Sequence, residues 1–155
     1  MSIDRLDARI LELLAAEPRI GVLEASRRLA VARGTVQSRL DRLAARGVIR
    51  SFGPQVDPAA LGYRVTAFAA LEIRQGARDA VARHLALVPE VLEVHTTTGQ
   101  GDLLCRIVAR DNDDLQRVLD DLAGDADIVR SSTTVALSTV LPPRVLPLVK
   151  AAITG

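Results

Sequence analysis

Aromatic side chains are nearly missing from this 155-residue chain: two Phe, one Tyr and no Trp make up 2 % of it. A protein that holds unpaired bases on stacked rings needs several such platforms, so that class of function is excluded. The interior must be built from Leu, Val, Ile and Ala, for which an apolar share of 48 % is ample. There is one cysteine, Cys105, which rules out an internal disulfide and any zinc site made of several thiolates. No apolar run approaches the ~20 residues that cross a bilayer. The opening MSIDRLDARI is charged where a secretion signal needs an apolar stretch. The chain therefore reads as soluble and cytoplasmic, with no membrane partner. Lysine is scarce too, one against nineteen Arg, which together with the many Ala suggests a GC-rich genome.

The length allows one ordinary domain or two small ones, and charge argues for two. Residues 1–53 carry ten Arg against six Asp or Glu, a net +4. Residues 54–155 carry nine Arg and one Lys against thirteen acids, a net −3. A basic front half and an acidic back half point to modules with different partners.

In the front half, DRLDARILELLAAE places Leu6, Ile10, Leu13 and Leu14 at helical spacing, with Asp4 to cap and Pro18 to close. LEASRRLA predicts a second, shorter helix. A third begins near Arg33 or Gly34 and runs to Gly47, whose left-handed freedom ends it. The last two are joined by the short turn VARG, which makes a helix-turn-helix. On the third helix Val36, Leu40 and Leu43 form one stripe, while Gly34, Thr35, Ser38, Asp41, Arg42 and Ala45 lie opposite, with Gln37 and Arg39 on the flanks. Small and hydrogen-bonding residues there suit entry into a major groove. Arg33, Arg39, Arg42 and Arg46, with Arg27 and Arg28 of the preceding helix, are candidates for phosphate contacts, which supply affinity and register. The plainer reading is a solvated helix kept soluble by its arginines; a compact trihelical unit at +4 favours double-stranded DNA. Val48, Ile49 and Phe52 read as a short strand or arm. Pro54 and Pro58 then forbid continued helix. The division is a helix-turn-helix domain over 1–50 and a hinge over 51–63.

From Arg64 the period changes. VTAFAALEIR, VLEVHTTT, DLLCRIVAR and IVRSSTTVALSTVL read as strands, and ARDAVARHLALV and DLQRVLDDLAG as helices. The order β-α-β-β-α-β is the ferredoxin-like pattern, so the chain is of the α+β class. The domain spans 64–141, and 142–155 follow as a tail that either packs on a neighbour or trails. Both helices then cover one sheet face. The strands do not alternate as a water-facing side requires, so the bare face calls for cover, most simply a second copy of the chain.

Two glycines one residue apart, in TTTGQGDLLCRIVARD, raise a separate question. A dinucleotide loop needs a helix after the glycines to meet the phosphates. Here a strand follows, and Asp102 repels phosphate. What remains is a plain hairpin turn or a turn that doubles as a small-ligand pocket. Thr97 and Thr98 offer hydroxyls, Gly99 and Gly101 allow close approach, and Asp102 suits an ammonium group.

The stretches IDRLDARILELLAAEPRIGVLEASRRLAVARGTVQSRLDRLAARGVI, VDPAALGY and TTTGQGDLLCRIVARDNDDL together resemble the Lrp/AsnC, or feast/famine, family across essentially the whole chain. The resemblance implies a helix-turn-helix DNA reader joined to a ligand-binding domain of the RAM type. It implies transcription regulation by dimers that assemble to tetramers, octamers or larger rings. It also implies an effector, commonly an amino acid, bound between dimers beside the glycine loop. Carried over, the effector residues are Thr98, Gly99, Gly101 and Asp102, with Thr97 and Gln100 nearby. The turn VARGT departs from the serine-rich turn of many members, so base preference need not follow theirs.

Two other classes compete. A hydrolase on Cys105 meets a strand face shared with Leu103 and Ile107, where a thiol is buried and inert. A sirohaem-decarboxylase-like enzyme shares the two-module layout, yet here His95 is followed by Thr96 and Thr97, and DLLCRIVAR holds no histidine. A scaffold or ligand sensor that has lost DNA binding is the third, against which the arginines of the third helix argue. No catalytic residue, metal ligand or cofactor is assigned.

Overall fold

The computed structural model describes residues 3–99 and 101–153. The chain forms two compact units. One runs to Pro54 and takes in the residues from Leu141 onward; the other is Gln55–Val140.

The first unit begins with α1, Arg5–Ala16. The Asp4 carboxylate accepts from Asp7 N at 2.9 Å, and the Asp7 carboxylate accepts from Asp4 N at 3.2 Å, so two orphan amides of the first turn are satisfied reciprocally. Helix α2, Val22–Leu29, ends on Ala30, which sits at φ 56°, and α3 follows at Arg33–Ala45. Ile10, Ala25, Leu29, Val36 and Leu40 make the core, with Leu6, Leu13, Leu14 and Ile20 packed around it. Beyond α3, Gly47 turns left-handed at φ 69°. The amides of Val48 and Ile49 then both donate to Leu43 O, at 2.9 and 3.2 Å. Val48, Ile49 and Phe52, read as a short strand or arm, form no strand: the first two N–H groups are spent on the helix end. The C-terminal stretch read as a tail contains a helix, α6, Leu146–Ala152, which lies beside α1 with Lys150 Nζ 3.8 Å from Glu12 Oε1.

The second unit opens with a 3-10 turn at Pro58–Leu61, capped by Asp57 Oδ1 accepting from Ala59 N at 3.0 Å. Strands β1 (Val65–Ile73), β2 (Val91–Thr96), β3 (Leu103–Ala109) and β4 (Ile128–Ala136) form one sheet in the order β2-β3-β1-β4, with every pairing antiparallel. Helices α4 (Arg78–Leu85) and α5 (Asn112–Ala123) cover one face. There Ala67, Ala69, Leu71, Leu103, Cys105 and Ile107 meet Val81, Leu85, Leu115, Val118 and Leu122. Small Ala residues in the central strand let the helices approach closely. Helix α5 starts two residues before the periodic stretch because Asp111 Oδ1 accepts from Asp114 N at 2.8 Å. Strand β4 stops at Ala136, short of the predicted Leu141. Ala136 pairs with Thr66 at the very start of β1, so the chain beyond has no strand to bond.

Among the described residues, the other face carries no helix. Phe68, Ala70, Leu104 and Arg106 lie at its centre. Arg106 is in register with Phe68, and Glu93 reaches it from the β2 edge at 3.4 Å, while Glu72 is in register with Arg130.

Candidate functional site

Two places hold the residues singled out by sequence, one in each unit, and each is built by its own local chemistry. In the first unit α3 buries Val36, Leu40 and Leu43 and leaves Arg33, Gly34, Gln37, Ser38, Asp41, Arg42 and Ala45 exposed; Thr35 is half-buried. The polar face predicted from spacing is therefore open.

The arginines divide into two groups. Arg33 is exposed with no ion-pair partner among the described residues, and Arg27 is held only by a loose 3.8 Å approach to Glu24. Arg28 is engaged by Glu24 at 3.1 Å and by Glu17. Arg39 and Arg42 both turn to the α1 start. Arg39 Nη1 donates to Asp4 and, at 3.0 Å, to Asp7 Oδ1, and Arg42 Nη2 donates to both Asp7 oxygens at 3.1 Å. Asp7 is 1 % exposed, so this is a buried carboxylate held by two guanidinium groups. The hydrogen bond from Arg39 holds the Asp4 carboxyl below its ordinary range, and Asp4 and Asp7 raise Arg39 in turn. Arg46 is half-buried with Nε unpartnered.

Sequence reading missed Asp7 altogether. The signal was present: it sits three residues before Ile10, on the apolar stripe, where an acid needs a partner. Asp41 was placed on the open face but given no role. Its carboxylate accepts from Gln37 Nε2 at 2.8 Å.

The second place is the β2–β3 hairpin. Gly99 and Gly101 sit at φ 120° and 101°, conformations open to glycine and strained for other residues. At Gly101 a Cβ would also stand 3.3 Å from both Ala70 Cβ and Leu71 O. Thr97 Oγ1 donates to Gly101 O at 3.0 Å, and Asp102 O accepts from Thr97 N at 3.0 Å. Asp102 N donates to Leu71 O at 2.8 Å, while Asp102 Oδ2 accepts from Ile73 N at 2.9 Å, beside the bulge that ends the regular pairing of β1 with β4. Thr97, Thr98, Gly99 and Asp102 are exposed and Gly101 is half-buried; Gln100 lies outside the described residues. These bonds fix Thr97, Gly101 and Asp102, and among the described residues the Thr98 side chain and one Asp102 oxygen have no hydrogen-bond partner.

The nucleophile alternative is disfavoured by geometry. Cys105 is fully buried, and burial pushes its thiol up to about 11. Val94 pairs with Cys105 and His95 with Leu104, so His95 and Cys105 point to opposite faces of the sheet. His95 instead lies 3.4 Å from Glu93, and His84 bonds Asp121 O at 3.2 Å.

A model of the Lrp/AsnC ligand-binding domain matches residues 66–146, more than half of the chain, and one of a winged helix-turn-helix DNA-binding domain matches residues 3–50. The chain belongs to the Lrp/AsnC family. The HTH-type transcriptional regulator FL11 of Pyrococcus furiosus is 32 % identical over 138 residues, which is 89 % of this chain and 91 % of FL11. AsnC of E. coli superposes with a TM-score of 0.85 at 27 % identity, over 95 % of this chain and all of that one. The Neisseria meningitidis regulator NMB0573 in complex with L-Met superposes at 0.81 and 26 %, over 91 % and 94 %. This Lrp/AsnC protein is accordingly a DNA-binding transcriptional regulator. Its architecture is a helix-turn-helix unit joined to a ferredoxin-like unit of the RAM type.

Proposed function

We propose that α3 enters the major groove of double-stranded DNA through Gly34, Thr35, Gln37 and Ser38, and that an amino acid bound beside the β2–β3 hairpin regulates that binding. The observation that carries the reading is the open, small and polar face of α3 on a trihelical unit whose sequence is strongly basic. Arg27 and Arg33 are the readiest phosphate ligands. Arg28, Arg39, Arg42 and Arg46 contribute more through position, since acids or burial already hold them. Arg42, exposed at one edge, serves both ends: Arg42→Ala weakens DNA binding and leaves the oligomer size unchanged.

At the hairpin, the free Asp102 oxygen suits the ammonium group of an amino acid, and the hydroxyl of Thr98 and the glycine amides suit its carboxylate. The bound L-Met of NMB0573 supports this ligand class. The uncovered sheet face with Phe68 and Leu104 supports a dimer, and the family resemblance extends it to dimers of dimers that complete each effector site. Ligand at that contact then changes the spacing of the DNA-reading units. The setting is the cytoplasm, where DNA is reached; among the described residues no helix is long and apolar enough to cross a membrane.

The test is binding of the purified protein to its own upstream DNA at two salt concentrations, with and without each common amino acid. Steep salt dependence with sequence preference supports the DNA reading, and a shift from one amino acid names the effector. Binding without any shift leaves the hairpin a plain turn. No binding at either salt returns the scaffold and enzyme readings. Of the latter, the sirohaem one is checked by tetrapyrrole titration, in which no spectral change is expected.

A further inference from the structure

Base preference of a groove helix comes from the side chains on its open face. On its open face Gln37 Nε2 donates to Asp41 Oδ1 at 2.8 Å, one turn further on, with both residues exposed. A carboxylate only accepts, so the amide is obliged to give Asp41 its NH2 end. With the N–H trans to the carbonyl on Asp41, the other N–H and Oε1 of Gln37 are left side by side for a partner. The major-groove edge of adenine presents the complement, an N6–H2 donor beside an N7 acceptor. We propose that Asp41 is a positioning residue for base reading, holding the Gln37 amide in the orientation that accepts from adenine N6 and donates to adenine N7. This rests on the reading of α3 as the groove helix.

A pair of this kind also arises simply as a helix staple, and the protein contains one. On α5, in the other unit, Gln116 Nε2 donates to Asp120 Oδ1 at 2.8 Å. The two pairs differ in what the acid costs. On α3 a carboxylate faces the phosphate backbone and lowers affinity for every sequence alike. If Asp41 orients Gln37, its removal has effects of opposite sign: affinity for DNA at large rises or holds, while discrimination for adenine falls. Loss of a staple alone weakens binding to every sequence equally and leaves discrimination unchanged.

The experiment measures affinities of the full-length protein for duplexes in which each base pair of its upstream site is varied in turn, at fixed salt. The variants are Gln37→Ala, Asp41→Ala, Asp41→Asn and Asp120→Ala. In the wild type one position of each half-site prefers adenine by about tenfold, as one bidentate contact provides. Gln37→Ala abolishes that preference. Asp41→Ala reduces it severalfold while binding a scrambled duplex at least as tightly as wild type. Asp41→Asn retains it, because the Asn carbonyl still accepts from Gln37, and Asp120→Ala changes nothing. An unaltered preference in Asp41→Ala overturns the role of Asp41 and leaves the groove helix standing. Equal weakening on all sequences in Asp41→Ala reduces the pair to a staple and also overturns it. A wild type with no sequence preference overturns both this role and the reading of α3.

Discussion

Asp7 has the least exposed carboxylate of the DNA-reading unit's described acids, and its surroundings explain why it is tolerated. Two guanidinium groups and the Asp4 amide share its two oxygens, so the charge is compensated where water is excluded. Breaking such a pair strands its partners. Because Arg39 and Arg42 are themselves partly exposed, the cost falls below the ~3–5 kcal/mol of fully buried pairs. Asp7→Ala is expected to lose about 2 kcal/mol of stability, read as a lower midpoint in denaturant unfolding of the whole chain. A change below a few tenths would mean that the network contributes only geometry. At the hairpin, Gly101→Ala combines positive φ with a methyl 3.3 Å from Leu71 O. It should cost roughly 1–3 kcal/mol, whereas Gly21→Ala, where nothing lies within 4 Å, should cost far less. Equal effects at the two glycines would show that crowding and φ at Gly101 do not matter.

At the scale of elements, α5 is tied down by its first turn. Asp114 Oδ2 accepts from Arg110 N at 2.9 Å, and Arg117 reaches Asp114, Asp121 and the buried Glu90 at 2.6–3.0 Å. The Arg110 amide, and after it the Arg117 side chain, hold the Asp114 carboxyl below its ordinary 3.8. A carboxyl lowered by folding stabilises the native state fully above its unfolded value and loses that contribution as pH falls through the folded one. Asp114→Asn should therefore be less stable than wild type at neutral pH, with the gap closing as pH drops below 3.8. Thermal unfolding of both proteins across that range checks it; a gap constant with pH would assign the effect to packing instead. Much of this element was legible. Leu115, Val118 and Leu122 stand at helical spacing and are all buried. Its start was not, because Asp111 is an ordinary acid until its carboxylate is seen to cap.

For the molecule as a whole, the open sheet face is the unfinished part. Phe68 is 40 % exposed at its centre, in register with Arg106 and Thr134. An apolar ring at the middle of an uncovered sheet is the contact a dimer would bury. Phe68→Asp is expected to shift the protein toward monomer in sedimentation at micromolar concentration. It should also weaken binding to a two-fold site far more than to a half-site. An unchanged sedimentation coefficient would place the association elsewhere. The pattern of charge also belongs to this scale. The positive front half can meet DNA while the negative back half is kept from it.

Composition and spacing alone determined the three helices ending at Gly47, the β-α-β-β-α-β order and the face of α3 that lies open. These follow from apolar periodicity and from glycines, which act locally and leave a mark in the string. Three features were decided only by tertiary structure. Asp7 meets Arg39 and Arg42 across more than thirty residues, a match of charges that no local pattern announces. Strand β4 ends where β1 begins, because a strand lasts only as long as its partner. Asp102 is committed through one oxygen to the Ile73 amide, so a residue that sequence assigned to a ligand also closes the sheet. In each case the deciding interaction joins distant residues, and its energy exists only once the fold brings them together.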